Sequence, residues 1–148
     1  MAKAYYSTVL DHSADQVWSV IRPFDHYSWA GVPGETTIED DRKGDQVGSV
    51  RRFSNGEKTI RQILLAHSDI DRSYSYGFCE QPSFPVQHYL ATIRVTPVID
   101  TNKAFVEWWA TFDCAPEDRA HMIKHFEASG FAVWLRGLRE FMAANKAA

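Results

Sequence analysis

Only two cysteines occur in the 148 residues, Cys79 and Cys114, and they stand apart without CxxC spacing. A disulfide framework and a thiolate metal site are therefore not expected, whereas a reducing, cytoplasmic setting is. No apolar run approaches the ~20 residues that cross a bilayer. The opening MAKAYYSTVLDHSADQ carries no apolar signal region and reads straight into a strand, so stable membrane insertion is not expected. Charge of one sign is missing too: 16 Lys+Arg against 19 Asp+Glu give a net charge of -3 with no block of like charge. That leaves neither a nucleic-acid footprint nor a polybasic membrane patch. GxSxG, Walker A, GxGxxG and HExxH motifs are absent, which removes support for serine-hydrolase, nucleotide-binding and zinc-protease readings. With no repeats, linkers or low-complexity stretches, the chain suits one domain, 1–148, able to bury about two-thirds of its unfolded surface.

What is plentiful is aromatic: 14% of the residues, with five Trp, six Tyr and nine Phe. Tyr5 to Leu10 is β-branched and aromatic enough to predict a strand. Ser13-Ala14-Asp15-Gln16 fits a capping box, and Val17, Val20, Ile21 and Phe24 follow on one helical face until Pro23 forbids continuation. Asp25 to Gly34 is a short aromatic segment with room for one helical turn. From Glu35 the period changes to two. Strand-like runs at Thr36–Glu39, Gly48–Phe53, Thr59–Ala66, Ser73–Cys79, Tyr89–Val98 and Phe105–Asp113 are separated by RKGD, SNGE, SDID, QPSFP and DTNK turn chemistry. The first strand plus this meander makes seven.

The run from Pro116 to Met142 predicts a long helix. At 100° per residue, Met122, Ile123, Phe126, Gly130, Val133, Trp134, Gly137 and Phe141 form one apolar stripe. A glycine inside a helix costs roughly 0.5–1 kcal/mol against alanine. Two on the stripe therefore imply either close approach of bulky groups from a facing sheet or a space for a ligand. The packing solution for these elements is an α+β fold in which a curved antiparallel sheet wraps round the C-terminal helix, with two short helices after the first strand.

The order of these elements, with VWSVIRPF in the first helix, resembles the START/SRPBCC superfamily, whose helix-grip fold is that of the birch pollen allergen. Gly48–Phe53 (GSVRRF), Pro85–Val95 (PVQHYLATIRV) and Val106–Phe112 (VEWWATF) are similar to its bacterial polyketide cyclase/dehydrase-like branch. More distantly, VWSVIRPFD, VGSVRRF and VEWWATFD resemble the plant abscisic-acid receptors. The superfamily includes lipid carriers, hormone receptors and aromatic-polyketide cyclases, so the resemblance specifies the fold far better than the ligand.

Strand parity places side chains. Tyr74, Tyr76 and Phe78 alternate with Ser73, Ser75 and Gly77 and face inward; Tyr89, Ala91, Ile93 and Val95 do the same. In the last strand, Phe105, Glu107, Trp109 and Thr111 compete with Ala104, Val106, Trp108, Ala110 and Phe112, and pattern alone leaves Glu107 outside. The receptor resemblance implies the reverse, with Glu107 and Arg51 lining a cavity beside Tyr74 and Tyr89, and with Phe53, Ile60, Trp109, Phe126 and Gly130 pointing into it. A carboxylate and a guanidinium sharing one cavity would offset each other's desolvation. Two departures from the receptors matter. Ser54–Glu57 is a tight turn where they carry a gate loop, and Glu80–Val86 replaces their latch, so a lid that recruits a partner is not carried over. Phe84 in that stretch is expected at the cavity rim.

These residues give two main expectations. In the first, a small hydrophobic or aromatic molecule is bound, carried or sequestered by Arg51, Phe53, Ile60, Tyr74, Tyr76, Phe84, Tyr89, Glu107, Trp109, Phe126 and Gly130. In the second, a cyclase/dehydratase-like enzyme uses Arg51 to polarise a carbonyl and Glu107 to exchange protons. An interaction module with a solid core is the third class. No cofactor and no metal are expected. His121 and His125 have the i, i+4 spacing of a helical metal pair but fall opposite the stripe without a third ligand. Glu127, at the stripe's edge, is either a second acid or a surface residue. A monomer or a homodimer is equally compatible with the sequence.

Overall fold

Ser13 starts the first helix by the reciprocal device its neighbours encode. The Gln16 amide donates to Ser13 Oγ at 3.2 Å and the Ser13 amide to Gln16 Oε1 at 2.9 Å, so two amides that a helix start leaves unpaired are both satisfied. The computed structural model describes residues 1–32 and 34–146; Pro33, in the irregular aromatic segment, lies outside them. In chain order come strand β1 (Ala2–Leu10), helix α1 (Ala14–Ile21), a 3-10 turn (Ser28–Ala30) and β2 (Thr37–Ile38). The meander follows as β3 (Val50–Asn55), β4 (Lys58–Ser68), β5 (Ser73–Phe78), β6 (Gln87–Val98) and β7 (Lys103–Asp113). The seven strands form one antiparallel sheet in the order β1-β7-β6-β5-β4-β3-β2. Register shifts between Leu64 and Ala66 and between Gln87 and Leu90 supply the bends that let such a sheet curl.

The concave face carries the core. Tyr74 and Tyr76 on β5, Ala91, Ile93 and Val95 on β6, and Leu64 on β4 are all buried there. On β7 the buried set is Ala104, Val106, Trp108, Ala110 and Phe112. Glu107 and Trp109 therefore stand on the outer face, which corrects the placement implied by the receptor resemblance. Pairing explains it. Trp108 is opposite inward Ile93, whereas Glu107 is opposite exposed Arg94 and half-buried Ser7. Outside, Glu107 Oε2 accepts the Tyr5 hydroxyl at 2.7 Å, and Trp109 stacks on Tyr5 with ring centres 6.5 Å apart. A carboxylate left in water avoids the desolvation cost it would meet among aromatic rings.

The C-terminal helix begins after a 3-10 turn at Pro116–Asp118 and runs through α2 (Arg119–Lys124), a π-helical stretch (His125–Phe131) and α3 (Ala132–Lys146). Its most buried apolar residues are Met122, Phe126, Phe131, Leu135, Leu138 and Met142. Their spacing of four, five, four, three and four departs from the α period only across the π stretch, where bonds run i to i+5. A uniform 100° wheel misses that step. It predicts Val133 on the inner face, yet Val133 is 44% exposed. Gly137 does serve close approach: a Cβ there would lie 2.9 Å from the Trp29 carbonyl oxygen and 3.2 Å from Ala30 C.

The helix also covers the free edge of β1. Arg119 donates to the Met1 carbonyl at 3.2 Å, Glu127 accepts the Tyr5 amide at 2.9 Å, and Arg139 donates to Thr8 Oγ1 at 2.7 Å and to the Val9 carbonyl at 3.1 Å. Those side chains occupy backbone groups that another strand would otherwise pair with. Among the described residues, no helix is long and apolar enough to cross a membrane.

Candidate functional site

Between the curled sheet and the helix lies a cavity of about 580 Å³, within the roughly 300–1,000 Å³ span of small-molecule sites. Strands β3 to β6 supply Phe53, Ile60, Gln62, Tyr76, Phe78 and Tyr89; the turn after α1 supplies Tyr27; the helix supplies Phe126, Gly130 and Trp134. The β5–β6 connection adds Phe84, whose ring packs 5.2 Å from Phe126, 5.9 Å from Phe78 and 5.8 Å from His125. Aromatic rings thus dominate the wall. The mouth lies beside exposed Lys58, Thr59, Glu80 and Ser83.

Gly130 keeps its part of the wall open by having no side chain. A Cβ there would sit 3.3 Å from Trp134 Cη2, because the indole lies back along the helix, 5.2 Å from the Trp108 ring. At the rim, Arg61 donates to both Glu39 oxygens, at 2.7 and 2.8 Å, and also to Glu80. This pins the β5–β6 connection to β4. Gln81 Nε2 donates to the Val86 carbonyl at 2.9 Å and closes the connection on itself.

Behind the wall, Arg51 is fully buried. Its guanidinium lies 3.9 Å from the Tyr27 ring centre, 4.2 Å from Phe24 and 4.8 Å from Tyr76, so ring faces replace part of its lost hydration. Nε donates to Gln62 Oε1 at 2.8 Å and Nη1 to the Phe24 carbonyl at 3.4 Å. Because a guanidinium can only donate, Gln62 must turn its oxygen toward Arg51, which leaves its NH2 end for the cavity. Burial pushes the Tyr27 hydroxyl up to about 12, against the opposing pull of Arg51. Burial likewise raises Tyr76 and Tyr89. All three hydroxyls are neutral hydrogen-bonding groups at physiological pH.

Of the residues expected at the site, Phe53, Ile60, Tyr76, Phe84, Tyr89, Phe126 and Gly130 line the cavity. Tyr74 and Arg51 are buried beside one another but do not reach its surface. Glu107 and Trp109 are on the opposite face of the sheet, because their strand presents the Trp108 parity inward. Sequence reasoning missed Tyr27, Gln62 and Trp134 as wall residues. Trp134 was on the apolar stripe, and Gln62 shares the parity of Ile60; Tyr27 sits in an irregular segment with no periodic signal. His125, expected in solvent, is exposed yet stands at the rim against Phe84 and Phe126. His121 stacks on it at 6.5 Å. Glu127 is the edge cap of β1 and not a cavity acid.

A family model described as polyketide cyclase/dehydrase and lipid transport matches residues 1–146. Among solved structures, the chain is similar to the protein XoxI of Bacillus cereus: 29% identity, 95% of this chain and 94% of that one covered, TM-score 0.80. A Thermobifida fusca protein gives 27% identity, coverage of 95% and 92%, and TM-score 0.81. Norcoclaurine synthase of Thalictrum flavum, solved in complex with dopamine and hydroxybenzaldehyde, shares the fold at 17% identity, coverage of 96% and 86%, and TM-score 0.72. No curated protein matches the chain.

Proposed function

Because the chain belongs to the family described as polyketide cyclase/dehydrase and lipid transport, we propose that its cavity binds a small hydrophobic or aromatic molecule. The observation that carries this reading is the ring-lined space of about 580 Å³ between sheet and helix. Burial against those rings supplies the affinity, at about 25 cal/mol per Å² of apolar area. Orientation comes from the Gln62 amide and the hydroxyls of Tyr27, Tyr76 and Tyr89, since each such group selects a partner on the ligand and costs affinity when left unpaired. Flat ligands suit the wall: offset and edge-on contacts to Phe53, Tyr89, Phe126 and Trp134 add to area burial. The distant likeness to a synthase that holds two aromatic molecules fits this choice.

Binding, transport or sequestration is favoured over turnover. With Glu107 outside, the carboxylate expected to exchange protons is gone from the interior, and Glu80 at the mouth is engaged by Arg61. We place the protein in the cytoplasm, where the free thiols of Cys79 and Cys114 would persist.

Native mass spectrometry of protein purified from cells, together with titration of a hydroxynaphthalene probe against Trp134 fluorescence, tests the reading. A co-purifying small molecule, or quenching that vanishes in Trp134→Phe, supports it. The absence of both a co-purifying molecule and quenching overturns it.

A further inference from the structure

Three polar side chains of the cavity wall, Tyr27, Gln62 and Tyr76, are backed by groups that only donate. Arg51 Nε donates to Gln62 Oε1 at 2.8 Å, and Trp108 Nε1 donates to the Tyr76 hydroxyl at 3.2 Å. The guanidinium lies 3.9 Å from the Tyr27 ring centre and pulls the Tyr27 hydroxyl down against the upward push of burial, the effect of a donor on a phenol oxygen. Neither a guanidinium nor an indole N–H accepts in return. The wall therefore turns acceptors toward the protein and donors toward the cavity. Among the described residues no carboxylate forms an ion pair with Arg51, so the charge behind this wall is positive.

Gln62 is the strict case. A hydroxyl keeps a second lone pair and can rotate its proton, whereas a carboxamide whose oxygen is held shows only N–H. Flipping the amide would set its NH2 against Arg51 Nε, donor to donor, and leave a buried guanidinium donor unpaired, which is costly. Among the described residues the Gln62 side chain makes no other hydrogen bond. Only 5% of the residue is exposed, so a guest that covers the NH2 without accepting from it strands a donor away from water. We infer that Gln62 determines specificity: it selects guests whose buried end carries an acceptor oxygen, such as a ring carbonyl, over guests that present a C–H or an N–H there. The inference rests on the reading of the cavity as a small-molecule site and adds to it which end of the guest goes inward.

1-Tetralone and tetralin are the probes, two bicyclic molecules that differ by a carbonyl in place of a methylene. Calorimetric titration gives the ratio of their dissociation constants, in which the shared ring burial cancels. Gln62→Leu removes the donor. Gln62→Glu removes it too but keeps an acceptor for Arg51, so it decides the matter if the leucine variant fails to fold. In both, the ratio should move against tetralone by about three- to tenfold, the scale of one hydrogen bond. An unchanged ratio with both probes bound would overturn the role of Gln62 and leave the cavity reading standing. A ratio that moves in Gln62→Leu but not in Gln62→Glu would trace the effect to packing and overturn that role as well. No binding of either probe to the parent protein would overturn the cavity reading, and this inference with it.

Discussion

A Cβ on Gly137 would lie 2.9 Å from the carbonyl oxygen of Trp29. The obstruction is backbone held in a 3-10 turn, so the neighbour cannot swing aside as a side chain would. Overpacking of this kind costs about 1–3 kcal/mol, against roughly 1 kcal/mol that alanine gains over glycine in a helix. Gly137→Ala should therefore destabilise by up to about 2 kcal/mol net, where an unobstructed helical glycine would gain stability. Urea unfolding checks this, and a variant more stable than the parent would contradict the contact.

Gly130 meets a side chain instead. Its added Cβ would sit 3.3 Å from Trp134 Cη2, and Trp134 lines the cavity, so a displaced indole would change the shape of that wall. Gly130→Ala should leave stability unchanged or slightly raised while weakening an aromatic probe about three- to tenfold, the scale of mild overpacking. Equilibrium fluorescence titration beside urea unfolding separates the two effects; equal probe affinity would show that the helix does not bound the binding space.

Glu107→Gln should do almost nothing to the cavity. The acid is on the outer face, holding the Tyr5 hydroxyl at 2.7 Å, and outer-face changes usually shift free energies by no more than about 0.5 kcal/mol, or roughly twofold. Probe affinity in Glu107→Gln should stay within that factor. A large loss would mean that the last strand presents its other face inward.

Alkaline pH should open the fold through its tyrosines. Burial raises Tyr27, Tyr74, Tyr76 and Tyr89 above the ordinary phenol value, Tyr27 to about 12. In the unfolded chain these groups ionise near pH 10. Their contribution is thus fully present below about pH 10 and is lost as the pH climbs toward the folded values. A phenolate absorbance titration should release these four of the six tyrosines only as circular dichroism reports unfolding. Smooth release of all six ahead of unfolding would show that the interior is wet.

Much of this architecture is legible in the chain because its signals are local. The Ser13 box, the turns between strands and the plain alternation of Ser73–Phe78 each require only neighbouring residues. Six wall residues follow from that alternation, the receptor resemblance and the helix stripe, and Phe84 from the stretch that departs from the receptors' latch. The rest depends on non-local facts. Trp108 and Trp109 are adjacent and both large, so alternation on β7 is weak; pairing with β6 and β1 decides it. Gln62 shares the inward parity of Ile60 and Leu64, but a polar side chain is tolerated there because Arg51 donates to it. Tyr27 is placed by the packing of the turn that Gly137 admits.

The π stretch at His125–Phe131 gives the rod two independent phases. Phe126, Gly130 and Trp134 keep a strict step of four toward the cavity, whereas Phe131, Leu135, Leu138 and Met142 anchor the same rod to the protein interior. Phe126 belongs to both sets, since it borders the cavity and is buried in the core, whereas Gly130 and Trp134 border the cavity without being part of the anchoring row. Substitutions at Gly130 and Trp134 can therefore change the shape of the cavity while Phe131, Leu135, Leu138 and Met142 keep the rod seated.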